Sequence, residues 1–527
     1  MRTPRLTSRR PVAAALVLVL WMGGLGFLVR REYFRPDTER LAEAALRVSP
    51  GAAYYAVMQG DRQIGFASSS IDTATTTISV DDYLVADLPV GGRTHRASAR
   101  THVVLTRALH TKAFAVTFES DASPIQARGR VVGDSLLVLM LSTGSDAPVD
   151  TQRIKLSGAI LLPTLLPMAV ALADQPRVGK HYTWPVFDPV GLTPRQVGLT
   201  IAAESSFVVD DSSAFDTAAG RWRGVQPDTL RAFRVQTDTG AGAAGFSGWI
   251  DEQGRVVRTA QLGFTLRRLP YEVAFENWRI ASAKNTGRSA AVPEDRDILE
   301  TTAIGASRRL SSDVSELRVT LANADLRGFD LTSQRQSLHG DTLVVRREPA
   351  SALTADYSLP EGGKRILPEL TMAEPLVQSN HPEILRLARR LARGQRDPRV
   401  VAERINRWVY DSLAKRITFG IPSALQVLHA RAGDCNEHAQ LFVALARAAG
   451  IPSRLNAGLA YIDGKFYYHA WPEVYLHDWV AVDPTFGQFP ADAAHLRFVI
   501  GGLVKRSGWN ETTLRISSWG GRISTST

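Results

Sequence analysis

Three residues near the C-terminal end are of types that do nucleophilic chemistry. Cys435 lies in AGDCNEHAQLF, His469 in KFYYHAWPEVYL and Asp483 in WVAVDPTFG. Cys435 is the sole cysteine among 527 residues. It cannot form an internal disulfide, and one thiol cannot build a cysteine-rich zinc site or an iron–sulfur cluster. The chemistry open to it is that of a reactive thiol. An imidazole can take the thiol proton, and a carboxylate can hold the imidazole tautomer and stabilise the imidazolium. The sulfur would attack a carboxamide carbonyl to give a thioester, which an amine or water resolves. Each residue taken singly has a blander reading: an inert buried thiol, a core histidine bonded to backbone, an Asp-Pro turn.

The elements that must position them can be read locally. Gly433-Asp434 reads as a turn and N-cap, followed by strong helix formers through Ala449, with Gly450 at C′ and Pro452 beyond it. Apolar residues lie nearly all round this helix, so it should be buried. Cys435 then falls in the first turn, where about half a positive charge favours a thiolate. The alternation and aromatic content around His469 predict a strand with His469 and Trp471 on one face. Asp483 ends the next strand. A two-residue turn at His477-Asp478 would set Asp483 opposite Pro472; an earlier turn or a bulge would bring it beside His469, and both remain open. His438, one turn beyond Cys435, is a weaker candidate base with only Glu437 and Asp434 as local orienters. His495, with Gln488 and Asp492, reads as an accessory shell or as surface. The Cys435 N–H is one expected oxyanion donor, and the other is not identified. No calcium-type carboxylate cluster, HExxH or phosphate loop occurs, so no metal or cofactor is expected.

The motifs GDCNEHAQLF, GIPSRLNAG, YHAWPEVYL and WVAVDPTFG, in that order, resemble the transglutaminase-like superfamily over about 380–501. The resemblance implies an α+β, papain-like core with Cys435 as nucleophile, His469 as base and Asp483 as orienting acid. It implies acyl transfer or hydrolysis on a protein or peptide substrate. Such families include protein crosslinkers, cysteine proteases or amidases, and deglycosylating enzymes.

The rest of the chain supplies context. Residues 11–29 are 19 residues without a charge, preceded by Arg2, Arg5, Arg9 and Arg10. This predicts a transmembrane helix with residues 1–10 in the cytoplasm and the bulk outside. A cleaved signal peptide with Gly24-Leu25-Gly26 as its small-residue site is the competing reading. Residues 30–51 form a stalk. Residues 52–287 read as one or two antiparallel β-rich domains, interrupted by a Pro-containing apolar segment at 158–175. Residues 288–376 hold a small β domain and linker, with a hairpin at His339-Gly340-Asp341. The transglutaminase-like domain spans 377–505 and a tail covers 506–527. Helix starts are expected at Asn380 and Asp397, each close before a proline. The layout resembles bacterial membrane-anchored members of the superfamily, which implies a single-pass protein of the inner membrane facing the periplasm, with an envelope partner for the β-rich region. The net charge is +10, but only 8 of the 62 basic residues are Lys and none cluster into a patch. Nucleic-acid binding is therefore not expected. The alternative to an enzyme is a scaffold that retains the fold without catalysis.

Overall fold

The computed structural model describes residues 48–501, apart from 121–123, 134, 144–148, 174–175, 189–192, 238–246, 262–263, 286–291, 312, 322–325, 327 and 419–422, together with 523–526. The apolar segment 11–29 and most of the stalk and tail lie outside the described residues. Among the described residues no helix is long and apolar enough to cross a membrane.

The alternating Thr- and Val-rich stretches form one continuous antiparallel sheet of fourteen strands between Gly51 and Leu269. The chain begins in its middle. Successive hairpins carry it to one edge, Asp150–Lys155. It then crosses to the other edge, His181–Asp188, and works back until Phe264–Leu269 pairs with Gly51–Gln59. The crossing segment holds the Pro-containing apolar stretch. Pro163 opens a short turn into the helix Leu166–Ala173. That helix is apolar all round and is accordingly buried, with Met168 and Ala169 packed among residues of the outgoing strands. Phe187 from the returning edge meets Phe114 with ring centroids 5.9 Å apart, so the two halves of the sheet share one core.

A small four-stranded sheet follows. Gln336–His339 and Thr342–Arg346 are joined through Gly340-Asp341, with Gly340 at φ +64°, as the sequence predicts. Glu316–Leu321 pairs with the second of these strands, and Ile523–Ser526 adds to its far side. The last residues of the segment read as a tail are therefore a strand. Leu317, Val319, Leu343 and Val345 of this sheet share a cluster with Leu459, Phe466, Leu496 and Phe498. The small unit is built onto the C-terminal domain.

The C-terminal domain contains helices α1 (Pro382–Ala392), α2 (Pro398–Ser412), α3 (Ala424–Ala430) and α4 (Cys435–Ala449). Its strands are β1 (Ser453–Ile462), β2 (Lys465–Tyr475), β3 (Trp479–Ala481) and β4 (His495–Ile500). The sheet runs Ile304–Gly305, β2, β1, β4, with β3 also on β2. Asp397 caps α2 as expected, accepting from Arg399 N–H at 2.9 Å. The cap of α1 is His381, not Asn380, because Pro382 occupies the first helical position and the residue before it takes the extended conformation. Val401, Ile405 and Val409 are fully buried with Leu441 and Leu445 of α4 in one cluster.

Candidate active site

Asp434 caps α4. Its carboxylate accepts from Asn436 N–H at 2.8 Å, and Glu437 returns a bond to the Asp434 N–H at 2.8 Å, completing a capping box. Gly433 is required by the same turn: a Cβ there would lie 2.2 Å from that of Glu437. Gly450 ends the helix at φ +89°. Cys435 is thus the first residue of a helix fastened at both ends.

The sheet leaves a place for that helix end. On the outer edge of β2, Ile304–Gly305 pairs with Lys465 and Phe466, β3 pairs with 473–475, and Pro472 O accepts from Val482 N–H. Among the described residues the intervening edge has no strand partner. The first turn of α4 meets it: the Cys435 sulfur faces the backbone N–H of Ala470, and Tyr468 OH donates to Asn436 Oδ1 at 3.4 Å. The thiol therefore sits against the residue that follows His469. The sulfur and the His469 ring are not themselves hydrogen-bonded; contacts of this kind are often long in unliganded sites.

The His469 ring is held from its far side. Its Nε2 lies 2.7 Å from Asp483 Oδ2, and both residues are buried. Phe486 stacks on the ring at 4.7 Å and 6°. With Nε2 engaged, Nδ1 is the nitrogen left for a thiol proton. Asp483 Oδ1 accepts from Thr485 N–H at 2.6 Å and Phe486 N–H at 3.1 Å. Burial alone would raise the Asp483 pKa, but His469 and His495 outweigh it and hold the carboxyl well below the usual range.

The register settles the two alternatives left open by the sequence. Tyr475 pairs with Trp479, so three residues, Leu476 to Asp478, make the turn. Glu473 pairs with Ala481, and continuing that register sets Asp483 beside Trp471. A two-residue turn would have placed it opposite Pro472, on the face that packs against α4. One residue of register moves the carboxylate to the face that carries His469.

The thiol departs from expectation. Burial pushes the Cys435 pKa well above 9.0, and the carboxylate of Asp434 adds to this. The Ala470 N–H works in the other direction without offsetting them, so the resting residue is a neutral thiol. Difference absorbance at 240 nm against a Cys435→Ser variant should show no thiolate at pH 7 and a rise only above pH 9.0. Thiolate absorbance already present at neutral pH would contradict this assignment.

His438 turns into its own helix cap, with Nδ1 2.7 Å from Asp434 O and Nε2 buried without a partner. Burial lowers its pKa. It has no carboxylate on its ring and is a poor base beside His469. His495, by contrast, belongs to the site. It is 2% exposed, with Nε2 3.0 Å from Asp483 Oδ2 and Nδ1 2.9 Å from Asp492 Oδ1. The Asp492/His495 spacing was the signal available in the sequence. His469, Asp483 and His495 offer metal-ligating atoms within 4.8 Å of one another. Both ring nitrogens, however, converge at hydrogen-bond distance on one carboxylate oxygen, which is the geometry of shared protons.

The family model for the transglutaminase-like superfamily matches residues 385–484, and this part of the chain is a transglutaminase-like domain. The match points to the cysteine hydrolases and acyltransferases of that superfamily. No curated protein matches the chain. Similar solved structures include a candidate cysteine protease from Cytophaga hutchinsonii, at 16% identity and TM-score 0.26, covering 40% of this chain and 82% of that one. A candidate protease from Parabacteroides distasonis has 14% identity and TM-score 0.19, covering 54% and 62%. A protein of the DUF1089 family from Pseudomonas aeruginosa has 11% identity and TM-score 0.22, covering 37% and 89%. At these scores the likenesses add nothing to the fold assignment.

Proposed function

We propose that the chain is a thiol enzyme acting on peptide or carboxamide bonds, with Cys435 as nucleophile, His469 as base and Asp483 as orienter. The observation that carries this is the buried His469–Asp483 bond of 2.7 Å on the strand whose next backbone N–H faces the Cys435 sulfur. Because the thiol is neutral at rest, His469 Nδ1 removes the proton as the sulfur attacks. Asp483 stabilises the resulting imidazolium. The Cys435 N–H, the first amide of α4, can receive the developing oxyanion. The tetrahedral oxyanion collapses to the thioester as the C–N bond breaks, the leaving amine or ammonia taking the proton from the His469 imidazolium, and the acyl group then passes to an amine or to water. Residues 11–29 anchor the protein in a bacterial inner membrane with the bulk outside the cytoplasm, and the fourteen-stranded sheet engages a partner in the envelope.

Transfer and hydrolysis differ in what resolves the thioester. The protein is incubated with a glutamine-containing peptide and a fluorescent primary amine, with a Cys435→Ala control. Fluorescent peptide marks transfer; ammonia or cleaved peptide without label marks hydrolysis. If the variant and the wild type behave alike across a panel of such peptides, the reading fails in favour of a non-catalytic scaffold.

A further inference from the structure

Asp483 is shared between two rings. Its Oδ2 meets His469 Nε2 at 2.7 Å and His495 Nε2 at 3.0 Å. The second nitrogen of His495 is 2.9 Å from Asp492 Oδ1. Ionised carboxylates accept and do not donate. A ring with a carboxylate oxygen on each nitrogen therefore carries a proton on each, and His495 is an imidazolium.

The seat of this cation is built from several sides. Asp492 Oδ2 accepts from Gln488 Nε2 at 2.9 Å, and Gln488 Oε1 accepts from Asp492 N–H at 3.0 Å. Gln488 is tied back to Asp483 by a pair of backbone bonds of 2.9 Å each. Trp471 packs edge-on against the His495 ring at 5.2 Å, and Phe486 at 5.9 Å.

We propose that His495 is a positioning residue of this site: a buried cation, seated by Asp492, that fixes Asp483 on the His469 ring and withholds part of the carboxylate's charge from that ring. The catalytic consequence rests on the thiol-enzyme reading; the clamp itself does not. Burial works against the His495 charge, and the two carboxylates outweigh it, lifting its pKa to about 9.

Other charged groups nearby do not replace this cation. The Arg335 guanidinium reaches the carbonyl oxygen of Asp492 and pairs its other arm with Glu348 at 2.8 Å. Arg497, two residues along β4, is paired with Glu473 at 3.0 Å. From the helical side, Lys415, His438 and Cys435 face Asp483 electrostatically. The His495 and His469 rings lie 5.7 Å apart. Removing the positive charge there favours protonated His469. His469 must be neutral to accept the thiol proton, so the acid limb of the acylation rate should move to higher pH, by about two units at this separation.

The test uses the whole protein, His495→Gln and Asp492→Asn. The glutamine can still donate to Asp483 but carries no charge. The asparagine can still accept from the ring but removes one carboxylate. With ¹⁵N-labelled histidine, the wild type should show two ring N–H resonances for His495 at pH 7.5; both should vanish in His495→Gln, and one should be lost at lower pH in Asp492→Asn. The pH profile of Cys435 acylation by a p-nitrophenyl ester should shift its acid limb upward by about two units in His495→Gln. A single ring N–H on His495 at pH 7.5, or an unmoved acid limb, overturns the proposal. If the wild type shows no Cys435-dependent acylation, the thiol-enzyme reading fails separately, and the ring resonances still decide whether the clamp exists.

Discussion

Replacing His469 with alanine is expected to slow acylation of Cys435 by a p-nitrophenyl ester about 10²–10⁴-fold near neutral pH. The size follows from the state of the thiol. Burial keeps Cys435 protonated, so little thiolate is available without a base. His469 is the imidazole whose outer nitrogen is fixed by a buried carboxylate, at 2.7 Å. In the variant, Asp483 keeps His495 and the Thr485 and Phe486 N–H groups. The fold should therefore survive, and the loss should be kinetic. Nitrophenolate release measured at equal folded concentration checks it, with Cys435→Ser as the blank. A rate within about threefold of the wild type would remove His469 from the base's role, since general base help is worth far more than that.

Glu473→Ala should strongly destabilise the C-terminal domain. Glu473 is 2% exposed. Its Oε2 accepts from Arg454 Nε at 2.7 Å, and its Oε1 accepts from Arg497 Nη1 at 3.0 Å. Burial opposes the charge, yet the two arginines hold the carboxyl below its usual pKa. Arg497 is as buried as its partner, and Arg454 is mostly covered, resting 3.8 Å from the centre of the Trp479 ring. Truncating the glutamate leaves two buried guanidinium groups without their counter-ion, which costs about 3–5 kcal/mol. The melting temperature should fall by roughly 6–20 °C at about 2–4 °C per kcal/mol. Replacing Arg454, Glu473 and Arg497 together by apolar residues of similar volume should cost less than the single truncation, because no unpaired charge remains. A single variant that melts like the wild type would show that the cluster is solvated.

What the sequence made legible was mainly local. Gly433, Asp434, Gly450 and Pro452 act within a turn of the helix they bound, so the ends of α4 were readable. The hairpin at Gly340-Asp341 was readable for the same reason. The types of Cys435, His469 and Asp483 pointed to their chemistry before any geometry was known. What escaped depends on distant parts of the chain. Whether Asp483 faced His469 turned on one residue in the hairpin loop. That His495 is buried between two carboxylates depends on how the loop from 484 to 494 folds over β2. The order of fourteen strands is not carried by alternation, which cannot say whether one sheet or two is built. The protonation of the thiol was not legible because the helix N-terminus is visible in sequence, whereas the cover that raises the thiol pKa is not.

The shared cluster of Leu317, Val319, Leu343 and Val345 with Leu459, Phe466, Leu496 and Phe498 decides where this protein can be cut. A fragment beginning at the first helix of the superfamily match would bare a greasy sheet surface and invite precipitation. A piece that keeps this backing has to begin upstream, at or before Asp297, which caps the helix Ile298–Thr302, and to retain the closing strand Ile523–Ser526. Trimming either terminus by homology alone would amputate the scaffold's own backing.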